Sequence, residues 1–250
     1  DIVTPPFEQL DHLGYDESAY VNTLPSNLLR LGLAAEANKK HPNIPVIISV
    51  AEYLSPEVRE LVHEQFGSRV INILSSSEAG IIAIECPHSG LLHIQAEAVL
   101  AEILDDEGNP VDEGETGELV VTAMYNYATP LIRYRSGDFV ERGPTCPCGV
   151  TLPTISKIAG RKEHMFVFPD GSREIPVINR VAITRRLGNE CWRWVQTSPE
   201  TTEFQHQEPD KLDADTWKWL SDNLGGATHN SFKVSEKPNT QLPLTTGQKR

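Results

Sequence analysis

The pattern that most constrains the fold is an aliphatic strand, a helix and a second aliphatic strand between residues 44 and 74. The first run, Ile44 to Val50, is almost continuously apolar, as expected for a strand buried on both faces. Ser55-Pro56 supplies a helix N-cap and a first-turn proline, and Gly67 supplies a stop before the run from Val70 to Leu74. Because a helical crossover joins parallel strands, the sequence predicts a parallel sheet here.

A polar run, Ser75 to Glu78, follows the second of these strands. Open α/β sheets bind their ligands beyond the carboxyl ends of the strands, so the run is a candidate ligand contact. A serine-rich turn with no ligand is the alternative interpretation.

The domain organisation is predicted from a change of pattern after residue 91. Segments 93–104 and 118–122 are typical of strands, and an acidic turn at 105–110 separates them. We therefore predict an α/β fold. A parallel-sheet portion of a large domain with a β-rich subdomain spans residues 1–159, and a small hinged α+β lid spans 160–250.

The predicted lid has its own pattern. Segments 191–197 and 202–207 are typical of strands, whereas 213–224 is typical of a helix that the pair Gly225-Gly226 would end. Four tryptophans occur in this part of the chain, at positions 192, 194, 217 and 219. We expect them to pack in the core of the lid and on its flanks.

The charge of the chain narrows its range of partners. Its 22 basic and 35 acidic residues give a formal net charge of −13, which disfavours non-specific binding to nucleic acid or to an anionic membrane. No apolar run is long enough to cross a bilayer, and four cysteines in 250 residues are too few for a disulfide scaffold. We therefore expect a cytoplasmic protein. Because Asp1 is not Met, we also expect a partial or processed polypeptide.

Five short motifs together carry the functional signal. In chain order they are Ser76-Ser77-Glu78-Ala79-Gly80, Gly114-Glu115-Thr116-Gly117-Glu118-Leu119, Arg133-Tyr134-Arg135-Ser136-Gly137-Asp138, Cys146-Pro147-Cys148-Gly149 and Gly160-Arg161-Lys162-Glu163-His164. Their order and spacing resemble the phenylacetate-CoA ligase and capsule-type branch of the adenylate-forming superfamily, best over residues 45–180. The resemblance implies that ATP activates a carboxylic acid, expected to be aromatic, as an acyl-adenylate. The acyl group would then pass to CoA, a carrier-protein thiol or a reductase.

The resemblance also implies which residues bind ATP and AMP. The Ser77 hydroxyl would contact phosphate, and the Glu78 carboxylate would help to hold Mg²⁺, which prefers oxygen ligands. Asp138 would accept both ribose hydroxyls, and Arg161 would contact ribose or phosphate and assist catalysis. The backbone at Ala51-Glu52 would line the adenine. Without the other motifs, Asp138 would be interpreted as a turn aspartate and Arg161 as a solvated cation.

Three features depart from the pattern of the family. Glu163 occupies the hinge position at which relatives usually have Asp or Lys. Leu74 replaces an aromatic residue that stacks on adenine in many relatives. The glycine-, serine- and threonine-rich phosphate loop does not occur in these 250 residues. We expect a segment upstream of Asp1 or a partner chain, such as a second copy in a homodimer, to supply it.

The last residues of the chain differ from the segment that carries the catalytic lysine in relatives. Relatives carry a segment that ends in Gly-Lys, whereas here Gln248 follows Gly247 and Lys249 comes one place later. A shift of one residue turns a side chain to the opposite face of an extended segment, so Lys249 can act only if the backbone bulges. We favour Lys249 as catalytic. The alternative is a frayed basic tail on a nucleotide-binding relative that has lost catalysis.

Three cysteines and one histidine form a candidate metal set: Cys86, His93, Cys146 and Cys148. Thiolates and imidazole are the ligands of closed structural zinc sites, which leave no open position for catalysis. His88 competes with His93 for the fourth place, and three ordinary thiols are the alternative. A zinc-stabilised interaction fragment is a third functional hypothesis. We expect Cys191 to lie in a core.

Overall fold

A computed structural model describes residues 2–15, 20–207 and 212–239. The chain divides into two compact units, Asp1–Glu163 and His164–Arg250. The boundary that we predicted between residues 159 and 160 falls inside the last strand of the first unit. None of the described helices is both long and apolar enough to span a bilayer.

Helices and strands alternate in the first part of unit one, and strands alone follow. The helices are α1 (Pro6–Tyr15), α2 (Pro25–Asn38) and α3 (Pro56–Phe66). The strands are β1 (Val21–Thr23), β2 (Val46–Val50), β3 (Arg69–Ser76), β4 (Gly80–Glu85), β5 (Leu92–Ile94), β6 (Val99–Leu104), β7 (Thr116–Ala123), β8 (Tyr134–Arg142) and β9 (Thr154–Arg161). One sheet joins them in the order β1-β2-β3-β4-β5-β9-β8-β7-β6.

The direction of the strands changes within this sheet. β1, β2 and β3 are parallel, and the later neighbours are antiparallel. The predicted crossover is confirmed, because β2 and β3, which α3 connects, pair in parallel. At the start of α3 the Ser55 side chain accepts from the Val58 N–H, and Gly67 ends the helix at φ +65°. The antiparallel strands form the predicted β-rich part, so the predicted α/β fold class is confirmed.

The antiparallel part of the sheet curls on itself. β5 and β6 stand at opposite ends of the series β5-β9-β8-β7-β6, yet only the turn at residues 95–98 connects them. The N–H groups of Ala98 and Val99 both donate to the Gln95 carbonyl, so this link is compact. In a flat sheet the outer two of five strands would be about 19 Å apart, because adjacent strands are spaced by about 4.8 Å. A compact turn cannot cover that distance, so the sheet curls around an apolar core. Its fully buried members include Ile82, Val99, Leu119, Val121, Val140 and Ile155.

Unit two is a smaller α+β fold. Its described elements are β10 (Phe166–Val167), β11 (Arg173–Glu174), α4 (Arg180–Leu187), β12 (Trp192–Ser198), β13 (Thr201–His206), α5 (Ala214–Ala227) and β14 (Lys233–Pro238). β12 pairs antiparallel with β13, which pairs parallel with β14. The core contains Trp192 and the fully buried Phe204 and Leu220, and the other three tryptophans pack on or around it. The expected packing of the tryptophans is therefore confirmed.

One predicted helix end is wrong. α5 continues through Gly225-Gly226 to Ala227. The Gly225 carbonyl accepts from the Asn230 N–H at 2.7 Å, and a Cβ on Gly225 would lie 2.7 Å from the Asn230 side-chain oxygen. The absence of a side chain at Gly225 thus permits close packing of the following turn, and it does not end the helix.

Candidate nucleotide site and metal centre

The turn between β3 and β4 carries Ser77 and Glu78. β3 continues through Ser76, so the polar run begins inside the strand and not beyond its end as we predicted. Ser76 is buried, and its hydroxyl oxygen accepts from the Ala79 N–H at 3.0 Å. This bond fixes the turn and leaves Ser77 and Glu78 exposed to solvent.

Glu78 lines a cleft of about 310 Å³. The other lining residues are Ala79, Gly80, Ala98, Ala123, Tyr125 and Asn126. They come from the β3–β4 turn, the β5–β6 turn and the segment at the end of β7. An exposed carboxylate in such a cleft can offer oxygen ligands to a hard cation such as Mg²⁺.

Asp138 and Arg161 are direct partners across β8 and β9. Arg161 Nε donates to Asp138 Oδ1 at 3.1 Å, and the two side chains are 32% and 10% exposed. The Asp138 N–H donates to the Ser136 hydroxyl oxygen at 3.1 Å, and that hydroxyl donates to the Leu119 carbonyl. Asp138 is therefore a buried strand carboxylate beside a cation and not an exposed turn aspartate.

Glu163 lies beside the same arginine. Its Oε1 is 3.6 Å from Arg161 Nη1, and its side chain is 53% exposed. It belongs to a 3-10 turn, Lys162–His164, and it is the last residue of unit one. Its role as a hinge stays a prediction.

Ala51 and Glu52 follow β2 in an unusual local geometry. Ala51 has φ +68°, a left-handed conformation that is uncommon for residues other than glycine. The Glu52 carboxylate accepts from the Ser26 N–H at 2.9 Å and from the Ser26 hydroxyl at 3.1 Å. Ser26 lies in the first turn of α2, and Leu24 at the N-cap offers no side-chain bond. Glu52 thus caps α2 from another segment, a contact that our sequence analysis missed. A helix start without a polar N-cap was the available signal.

Replacing Glu52 with Gln tests this cap. We expect the free energy of unfolding to fall by about 1 kcal/mol, because an anion at a helix N-terminus is replaced by a neutral amide. Urea denaturation measures the change, and Glu64→Gln on the exposed side of α3 is the matched control. Equal denaturation midpoints for the two variants would show that the cap does not stabilise the fold.

The candidate metal ligands meet in one cluster. The Sγ atoms of Cys86 and Cys146 are 3.8 Å apart, and Cys148 Sγ lies 3.4 Å from His93 Nε2. All four ligand atoms lie within 4.8 Å of one another. Zn–S bonds of about 2.3 Å at tetrahedral angles separate two sulfurs by about 3.8 Å, so the cluster has the dimensions of a zinc site. His88 is exposed, and it is His93 that joins the thiols.

The surroundings of Cys86 and Cys148 shift the pKa values of these two thiols in opposite directions. The Ser89 hydroxyl, followed by the backbone at His88, lowers the pKa of Cys86 to about 5. The Val150 N–H lowers the pKa of Cys148, but Cys146, burial and Cys86 together raise it above its ordinary value. Of these two thiols, Cys86 therefore more readily provides a thiolate, the form that binds a metal.

Two other candidates are separate from these sites. Lys249, together with Gln248 and Gly247, lies outside the described residues. Cys191 is buried in unit two, as expected, where burial raises the pKa of its thiol.

Sequence comparison finds similar proteins among coenzyme A ligases. No family model matches the chain. The phenylacetate-coenzyme A ligase of Thermus thermophilus is 30% identical over 154 residues, which are 60% of this chain and 34% of that protein. Protein CapK of Staphylococcus aureus is 27% identical over 164 residues, which are 65% of this chain and 33% of CapK. The chain thus spans about a third of the length of the curated relatives it matches.

Solved structures of CoA ligases share the fold of this chain. A 2-hydroxyisobutyryl-CoA ligase in the postadenylation state, in complex with R3-HIB-AMP, aligns with a TM-score of 0.73 at 20% identity and covers 98% of this chain and 56% of its own. An anthranilate CoA ligase in complex with anthranoyl-AMP aligns with a TM-score of 0.65 at 14% identity, covering 98% and 50%. The chain is therefore similar in sequence to phenylacetate-coenzyme A ligases and to CapK over about 60% of its length, and it shares the fold of these solved CoA ligases.

Proposed function

We propose that this chain belongs to an enzyme that uses ATP to activate a carboxylic acid as an acyl-adenylate, with release of pyrophosphate. The observation that carries this proposal is the buried Asp138 carboxylate in contact with Arg161, at the positions that the motifs mark for the nucleotide. An aromatic acid is supported by relatives named for phenylacetate and by the anthranoyl-AMP complex of a structural neighbour. CoA is the proposed acceptor, since these proteins are CoA ligases. A carrier-protein thiol and a reductase are the alternatives.

The Asp138–Arg161 pair has the chemistry that a nucleotide requires. The carboxylate has two oxygens, which can accept from the two neighbouring hydroxyls of a ribose. The guanidinium has five N–H donors, so Arg161 can contact Asp138 and an anionic phosphate together. When the ribose hydroxyls bind Asp138, a phosphate beside the guanidinium would also neutralise the positive charge of Arg161.

The phosphate end of the proposed site contains Ser77 and Glu78. The exposed Ser77 hydroxyl can donate to a phosphate oxygen, and the Glu78 carboxylate can hold Mg²⁺ in the cleft that it lines. When bound, Mg²⁺ would neutralise charge on the phosphates during attack by the carboxylate. Lys249 is proposed to add a further positive charge at the α-phosphate, beside Mg²⁺ and Arg161. An upstream segment or a homodimer partner is proposed to supply the phosphate loop.

A nucleotide-binding relative that has lost catalysis is the second candidate, and Gln248 at the position of the family lysine favours it. Pyrophosphate release by the full-length polypeptide, measured with a panel of aryl acids, separates the two. An enzyme releases pyrophosphate only when the correct acid is present. A degenerate relative binds ATP and releases none with any acid.

Zinc is the ion that we propose for Cys86, His93, Cys146 and Cys148, because the donor set and its spacing fit a closed tetrahedral site. We expect one zinc per chain after dialysis, measured by elemental analysis of protein purified without a chelator. His93→Ala should lose most of this zinc, and the matched variant His88→Ala should keep it. Well under half an equivalent in the unaltered protein would disprove the assignment.

A cytoplasmic location is also proposed. The four cysteines of the chain are unpaired, and three of them belong to the proposed zinc site. Reduced thiols of this kind suit a reducing compartment.

A further inference from the structure

The curled sheet of unit one closes at the pairing of β5 with β9. Only two residue pairs form this pairing, Leu92 with Ile155 and His93 with Thr154, whereas six pairs join β6 to β7. One further backbone bond, from the Ile94 N–H to the Pro153 carbonyl at 2.8 Å, extends it. This short seam is the place where β1–β5 meet β6–β9 in the strand order.

The four proposed zinc ligands come from both sides of this seam. Cys86 directly follows β4, and His93 lies in β5. Cys146 and Cys148 lie in the connection from β8 to β9, about 60 residues away along the chain from Cys86. The cluster therefore joins two segments that are distant in sequence, at the point where few backbone bonds hold them together.

We propose that zinc bound by this cluster is the strap that closes the curled sheet and holds β5 in register with β9. The short pairing needs such a strap because two strand pairs contribute few hydrogen bonds, and each is worth little net in water. A metal that links distant segments also removes conformational freedom from the opened state, as a disulfide does. The inference rests on the zinc assignment and does not depend on the adenylation chemistry.

The strap is connected through the chain to two of the segments that carry the proposed nucleotide site. Glu78 lies in the turn before β4 and Cys86 directly follows this strand, and Asp138 lies in β8, which leads into the connection that carries Cys146. If zinc holds the β5–β9 pairing together, its binding would therefore order both of these segments at once.

Amide hydrogen exchange on the full chain, with zinc bound and after removal of zinc by a chelator, tests the strap. We expect the amides of β5 and the first residues of β9 to lose protection by about tenfold or more, because the seam opens locally. The protection of amides in the β2–β3 pairing and in the sheet of unit two should change by less than about threefold. Adding zinc back should restore protection at the seam.

Two variants make the test specific. Cys148→Ser should reproduce the loss at the seam, and Cys191→Ser, which removes a buried thiol outside the cluster, should not. If Cys148→Ser does not fold, the chelated and reloaded protein decides the question. The proposal is overturned if the protein binds no zinc, if its removal leaves the seam protected, or if protection falls equally across all nine strands. Since the experiment uses no nucleotide, its failure is distinct from a failure of the proposed function.

Discussion

The substitution Lys249→Ala is expected to slow acyl-adenylate formation by on the order of 10²–10³-fold, because a preorganised charge beside a partly desolvated phosphate is lost. Lys249 stands one place later than the lysine of relatives, but Gly247 tolerates the backbone angles that a bulge requires. A bulge would return the lysine side chain to the face that contacts the site. Pyrophosphate exchange by the full-length polypeptide measures the effect.

Two further variants serve as controls for this experiment. Arg250→Ala also removes a basic residue from the tail, and we expect it to leave exchange nearly unchanged. If Lys249→Ala retains activity within about threefold of the unaltered enzyme, the lysine is not catalytic. In that case Gln248→Lys, which restores the spacing of relatives, should raise the rate.

Asp138→Ala is expected to weaken ATP binding by about tenfold or more, since each hydrogen bond to a charged group contributes roughly 1.5–3 kcal/mol. The effect on folding should be smaller. Arg161 is about a third exposed and keeps Glu163 Oε1 at 3.6 Å, so water and that carboxylate can offset the guanidinium charge once Asp138 is removed. Calorimetry measures the ATP affinity, and urea denaturation measures the free energy of unfolding.

The ribose contact can be isolated within the same experiment. The unaltered protein should bind 2′-deoxy-ATP more weakly than ATP, whereas Asp138→Ala should bind the two alike. Glu141→Gln is the matched control, because Glu141 lies on the same strand and bonds to Ser156. An ATP affinity for Asp138→Ala equal to that of the unaltered protein would show that Asp138 does not bind the ribose.

Local patterns were enough to predict several parts of the fold. α3 begins after Ser55 and ends at Gly67 as the sequence predicts, because capping depends on residues within one helical turn. The aliphatic runs at β2 and β3 predicted a parallel crossover, since complete burial of a strand leaves a continuous apolar signature. The cluster of three cysteines and His93 was also predicted from the sequence, because thiolates and imidazole are a donor set typical of metal sites.

The sequence by itself therefore determined the local elements, the fold class and the chemical types at the candidate sites. The tertiary structure decided which distant residues meet. Glu52 caps α2 although Ser26 is 26 positions away, and His93 rather than His88 joins the thiols. The β5–β9 seam and the passage of α5 through Gly225 were decided in the same way. Each of these features depends on contacts between separated segments, and a local pattern carries no record of the geometry that brings those segments together.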